Sequence, residues 1–355
     1  MADFMTNPAI GALCERVRHA AEARTPLRIR GGGSKDFYGG DSTGEALDVR
    51  GLSGIVAYEP RELVLTVQAG TPIAEVEAAL AAERQMLAFE PPHFGPGATI
   101  GGAVATGLSG PRRPYAGAVR DFVLGTNIIN GKGEALAFGG RVIKNVAGYD
   151  VSRLMTGAMG TLGILTEVSF KVLPLPVAET TMRLEMAEAQ AIESMNRWAG
   201  QPLPLSATSW QAGILHVRLS GAASAVSSAR AKIGGDEVPD GGKFWMGLRE
   251  QTAPFFSAAS LWRVSVPQTV VPLGMPQPQL IEWGGGVRWL TGELDARALR
   301  DKVAALGGHV TLFRGGDKSV GVFHPLAPAI AKIHRRLKDA FDPAGVLNPG
   351  RMPGF

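Results

Sequence analysis

Cysteine is almost absent. The 355-residue chain has one, Cys14. A single thiol excludes a disulfide framework, a zinc knuckle and an iron–sulfur cluster held by this chain alone. No run approaches the roughly 18 consecutive apolar residues a bilayer-crossing helix requires, and Met1 to Pro8 lacks the basic-then-apolar order of a secretion signal. A soluble, cytoplasmic protein is expected. Long tracts of one charge are missing too: 36 basic and 32 acidic residues are interspersed, and the densest basic spots are the pairs Arg112-Arg113 and Arg335-Arg336. The net charge of +4 therefore does not point to a nucleic-acid partner.

Glycine and proline are what the chain has in excess. Together they make 71 of 355 residues, or 20%, against a usual level of about 12%. Without a collagen-like period, so much glycine implies many places where backbone turns sharply or closely approaches something else. The stretch 95–163 alone holds 16 glycines in 69 residues.

Elements follow from period and punctuation. Asn7-Pro8 is a helix start, and Ile10, Leu13 and Val17 share a face of the helix that follows. Short strands are expected at 27–30, 46–49 and 63–68, a helix after Thr71-Pro72, strands at 122–129 and 135–138, and a long alternating strand at 164–172. Pro174 and Pro176 then break the chain. Beyond them strands and helices alternate, as in an α+β domain. The last helix, 328–341, is expected to turn Ile330, Ile333, Leu337 and Phe341 inward. The domains read as 1–177, 178–325 and a returning tail at 326–355. Five of the six tryptophans named with them (Trp210, Trp245, Trp262, Trp283, Trp289) are expected in core or interface packing, and Met155 and Met159 in the core.

Three glycine clusters carry chemistry. Arg30-Gly31-Gly32-Gly33-Ser34-Lys35 follows a strand, and successive glycines let backbone N–H groups converge on an anion, with a hydroxyl and a cation added at the end. Gly95 to Gly110 puts Gly101 and Gly102 at a helix start with a small-sided face behind them. Gly157 to Thr166 turns into the long strand. None has the Gly-Lys-Ser/Thr ending of a Walker loop, and Gly95-x-Gly97 is followed by Gly101, one residue too late for a Rossmann fingerprint. The pattern fits a diphosphate-bearing cofactor other than NAD.

Taken in order, Arg30-Gly-Gly-Gly-Ser34, Leu63-Val-Leu-Thr-Val-Gln-Ala-Gly-Thr-Pro72, Gly97-Ala-Thr-Ile-Gly-Gly102 and Gly160-Thr-Leu-Gly-Ile-Leu-Thr-Glu167 resemble the vanillyl-alcohol-oxidase (PCMH-type) FAD-binding superfamily. The tail Phe341-Asp-Pro-Ala-Gly-Val-Leu-Asn-Pro-Gly-Arg351 resembles the C-terminus of its hydroxy-acid oxidoreductases. Arg112 to Asp121 and Val142 to Asp150 resemble the E subunits of bacterial glycolate oxidase.

The resemblance implies an α+β fold, with a two-subdomain FAD domain, a smaller α+β cap and a tail packed near the flavin. It implies that Arg30, Gly31, Gly32, Gly33, Ser34 and Lys35 hold one side of the FAD pyrophosphate and Gly97, Ala98, Thr99, Ile100, Gly101 and Gly102 the other. Thr106, Ser109, Gly110 and Arg120 would lie along the ribityl and ring portion, and Gly160, Thr161, Gly163 and Ile164 near the adenosine. Some relatives attach FAD through a His in the first cluster. Ser34 stands there, so FAD is expected to be non-covalent. The implied reaction is oxidation of a small 2-hydroxy acid, glycolate to glyoxylate, with a base removing the hydroxyl proton and a cation holding the carboxylate. His93 and His324 are the candidate bases; no metal site is expected. The implied partners are an FAD-containing D-type and an iron–sulfur F-type subunit, through which the chain would lie peripherally at a membrane. Two alternatives stay open: a stand-alone hydroxy-acid dehydrogenase, and a non-catalytic subunit.

Overall fold

The computed structural model describes residues 7–140 and 150–354. Val142 to Tyr149, part of one quoted stretch of resemblance, lie outside the described residues. The first helix, Pro8–Ala23, starts as its sequence requires: the Asn7 side chain accepts from the Ala9 N–H, and proline occupies a position whose N–H would be orphaned anyway. Its buried face, Ile10, Leu13, Cys14 and Val17, covers a parallel pair made by Leu27–Arg30 and Glu45–Asp48. Burial raises the Cys14 thiol's pKa, in keeping with a packing role.

The long expected strand is the centre of the next layer. Ile164–Lys171 lies between Val64–Gln68 and Val123–Ile129, with Ile55–Glu59 and Ala135–Gly139 on the outside, all antiparallel. Phe89, Phe122 and Phe170 fill the core against it, Phe89 lying 5.5 and 5.9 Å from the other two ring centroids. A short helix, Ile100–Thr106, rests on this sheet. Thr99 caps it by accepting from the Gly102 N–H, and Gly107 ends it at φ 63, a left-handed conformation that glycine adopts without strain.

After Pro174 and Pro176 the chain builds an eight-stranded sheet in the order Asp236–Glu237, Ala178–Glu185, Ile214–Gly221, Leu205–Gln211, Gln279–Glu282, Val287–Thr291, Ser260–Ser265, His309–Gly315. Every pairing in it is antiparallel. Glu188–Ala199, Ala223–Ile233 and Ala296–Ala305 are its helices, joined by Gly241–Arg249, a glycine-led helix that the sequence reading does not include. The two sheets meet across a buried ionic lattice. Glu90 of the first region accepts from the Arg112 backbone N–H and from Arg218 of the second, both at 2.8 Å, and Arg112 also reaches Glu179 at 2.8 Å. Burial alone would raise the Glu90 carboxyl, but Arg218 and Arg112 overcome it and hold the pKa below the usual range.

The last helix forms over Pro328–Phe341, but its apolar face is not the inner face expected. Ile330 and Ile333 are 45% and 52% exposed, and only Leu337 and Phe341 pack on the first region's core. The residue this helix buries is Lys338, whose ammonium donates to Asp342 and to the carbonyls of Thr161 and Leu347. A satisfied charge anchors the helix where the hydrophobic pattern suggested a greasy seam.

Candidate functional site: a glycine-walled cleft opening into an arginine-lined cavity

The chain from Gly31 to Lys35 leaves the first parallel pair and runs against Gly97. A Cβ on Gly32 would lie 1.4 Å from the Gly97 carbonyl oxygen, so no other residue fits there. The backbone N–H groups of residues 31–35 find no acceptor among the described residues. These residues line a cleft together with Arg30, Thr99, Gly101, Gly102, Thr106, Gly160 and Gly163. Lys35 is 6% exposed and donates to the His93 carbonyl at 3.2 Å. Burial lowers its pKa to about 8, against an opposing effect of Glu250.

The second glycine bend contributes walls, not donors. Gly101 N–H is taken by the Ala69 carbonyl at 2.7 Å and Gly102 N–H by the Thr99 hydroxyl at 3.2 Å. An expectation of free amides on both sides therefore fails at Gly101 and Gly102. The other expected residues divide by position. Gly97 and Ala98 sit behind the first loop, while Ile100, Thr161 and Ile164 are fully buried. The Thr161 hydroxyl is spent on the Ala158 carbonyl at 2.6 Å. Ser109 and Gly110 line a small neighbouring pocket, and Arg120 a larger cavity further along.

The sequence reading did not name the cleft's far wall. Asn348 accepts from the Ile29 N–H at 2.8 Å and donates to the Met159 carbonyl at 2.7 Å; Arg351 donates to the Lys35 carbonyl at 3.0 Å and the Asp36 carbonyl at 2.9 Å. Both line the cleft with Met159, which lies at its edge as well as in packing. The Asn-Pro-Gly-Arg order of the tail was the available signal.

At Thr106 the cleft meets a cavity of about 610 Å3. Arg113, Arg120, Arg263, Trp283 and His309 line it together with Tyr38. Arg263 and Ser265 alternate with buried Trp262 and Val264, and the register pairs Ser265 with His309, so Arg263, Ser265 and His309 share one sheet face. Burial, then Arg263 and His324, lowers the His309 pKa and favours the neutral imidazole. His93 and His324 line neither cleft nor cavity. His93 Nε2 lies 3.1 Å from Glu77, and His324 sits beyond His309, its pKa lowered by burial and by Arg300.

Free amides, one buried lysine and a small-residue wall suit the diphosphate and flat ring of a dinucleotide. Residues 9–139 match a family model described as an FAD binding domain. Alkyldihydroxyacetonephosphate synthase has the same fold at a TM-score of 0.66 and 16% identity, over 95% of this chain and 74% of that one. The protein is thus an FAD-binding α+β protein, in a family of FAD-binding oxidoreductases. FAD is its cofactor. Glycolate oxidase subunit GlcE of Escherichia coli is 49% identical over 342 residues, 96% of each chain, and this chain belongs to that subunit's family. Glycolate oxidase subunit GlcD of Bacillus subtilis is 33% identical over 165 residues, covering 46% of this chain and 35% of that one.

Proposed function

We propose that the chain is the FAD-bearing E-type subunit of a glycolate-oxidising complex, acting on glycolate or a similar small 2-hydroxy acid and passing electrons to partner subunits of D type and iron–sulfur F type. The carrying observation is adjacency: a cleft rich in unsatisfied backbone donors shares Thr106 with a neighbouring cavity that has three arginines and a histidine. Bound FAD would supply the hydride acceptor. Residues 31–35 would hold its diphosphate, and Thr99, Gly101, Gly102 and Thr106 would border the chain between diphosphate and ring. Ser34 gives no nucleophile for a flavin bond, so attachment is non-covalent.

The base assigned here is His309, in place of His93 and His324. It lines the cavity with Arg263, and the lowered pKa leaves it free to accept a proton from a substrate hydroxyl at neutral pH. We divide the chain at 177 and 325, with the tail of the third segment completing the cleft. The described residues include no helix long and apolar enough to cross a membrane; any membrane contact is assigned to the partners.

The test is an absorption spectrum of the purified chain, followed by anaerobic titration with glycolate and lactate. A flavin spectrum whose chromophore is released on acid precipitation, and which bleaches with glycolate, is the expected result. Colourless protein that cannot be reconstituted with FAD would overturn the reading, and full turnover by the isolated chain would remove the need for partners.

A further inference from the structure

We infer that Glu250 is a positioning residue for FAD: from the second region it fixes the bend at His93 and Phe94, and that bend holds the Lys35 ammonium at the cleft. The inference rests on the assignment of residues 31–35 to the flavin diphosphate.

The bend has few means of holding itself. Of Pro91, Pro92, His93 and Phe94, only the last two carry a backbone N–H. Both donate to the Glu250 carboxylate, His93 at 3.1 Å and Phe94 at 2.9 Å. Phe94 sits at φ 53, a left-handed conformation uncommon for a bulky residue. Lys35 touches the same two residues. Its ammonium donates to the His93 carbonyl at 3.2 Å and lies 5.7 Å from the Phe94 ring centroid. One carboxylate therefore fixes both groups that orient the ammonium, and His93 serves through its main chain. The Ser34 hydroxyl, at 3.4 Å, takes a second of the three ammonium protons. The third has no acceptor among the described residues and is left for an anion in the cleft.

Glu250 is poorly placed for its own helix. It directly follows Gly241–Arg249, where terminal carbonyls repel a carboxylate. Arg249 compensates at 2.7 Å and also reaches Glu77 at 3.1 Å, whose other oxygen lies 3.1 Å from His93 Nε2. The charge serves Lys35 instead, since Glu250 raises the Lys35 pKa against burial. The other charged groups at the loop are already engaged. Arg30 pairs with Asp36 at 3.2 Å, and Arg351 meets Lys35 through its carbonyl.

The experiment uses the full chain loaded with FAD, diluted serially while the fluorescence of released flavin gives Kd. Glu250→Ala and Lys35→Gln are made singly and together. A residue that acts through Lys35 has no effect once Lys35 is gone. The expected result at pH 7 is that Glu250→Ala weakens FAD binding about threefold to tenfold in the parent, as for one lost hydrogen bond, and not at all in Lys35→Gln. Equal weakening in both backgrounds, or unchanged affinity in folded Glu250→Ala, overturns the inference. Glu250→Gln keeps the size and an acceptor but loses the charge, so its FAD affinity should begin to fall at a lower pH than the parent's. That pH profile carries the test if Glu250→Ala fails to fold, and an unmoved onset then overturns the inference. Unchanged affinity in Lys35→Gln overturns the diphosphate assignment and this inference with it; weakening in Lys35→Gln beside an unaffected Glu250→Ala indicts this inference alone.

Discussion

The cleft and the cavity bind by different means. Around residues 31–35 the donors are main-chain N–H groups, the walls are largely glycine and alanine with Arg30 and Arg351 beside them, and Lys35 is buried and easily neutralised. Around Trp283 the donors are side chains on two regions of the chain, and the walls are aromatic. Backbone donors are fixed by the fold and indifferent to side-chain exchange, so they suit a ligand that stays. Side-chain donors can be changed one at a time and suit a ligand that is selected. Retention and choice are thus separated along one groove.

The largest effect that would break this contrast is Gly32→Ala. A methyl group placed 1.4 Å from the Gly97 oxygen must push the loop aside. We expect destabilisation of about 4 kcal/mol or more and no retained flavin, read from a denaturant midpoint and the visible spectrum.

Next in size is Glu90→Gln, which cuts the lattice joining the two regions. It leaves Arg218 and Arg112 short of a buried partner, at an expected cost of about 3–5 kcal/mol. Flavin per folded molecule should stay the same while the denaturant midpoint falls. If flavin content fell instead, cleft and cavity would not be separable in the way their donors suggest.

The smallest and sharpest test is the pH dependence of Lys35. Its pKa in the protein, about 8, lies below its ordinary 10.5. The unliganded fold therefore binds fewer protons than the unfolded chain between those values, and stability contributed by this group rises with pH across that window. Flavin binding goes the other way. A diphosphate favours the ammonium and raises its pKa, so affinity is flat below about pH 8 and falls as the pH rises above it. In Lys35→Gln both slopes should vanish, with FAD affinity at neutral pH lower by about 1.5–3 kcal/mol, as for a lost charge-assisted hydrogen bond. Calorimetric titration at several pH values measures it.

Much of the cleft was legible in sequence because close backbone approach has one solution. Three glycines after a strand can be read without knowing what they touch. The fate of the Gly101 N–H was not legible, since its acceptor, the Ala69 carbonyl, is supplied by a turn some thirty residues earlier. The cavity was less legible still. Arg263 and His309 become neighbours through the register of two strands, a pairing no local pattern encodes. The last helix misled for the opposite reason: its apolar spacing was strong, but the salt bridge of Lys338 with Asp342, at 2.7 Å, decides which side faces in.

The hydrogen bonds from the tail to the first loop have a consequence for biosynthesis. Ile29 and Asn348, bonded to each other, are 319 positions apart. A ribosome exposes the glycine bend long before it makes the residues that close it. Until Asn348 and Arg351 have left the exit tunnel, the nascent bend has only one bank, and a cofactor arriving early meets an open ledge. Loading with flavin should therefore follow translation, and cells short of flavin should accumulate finished, colourless chains instead of stalled ones.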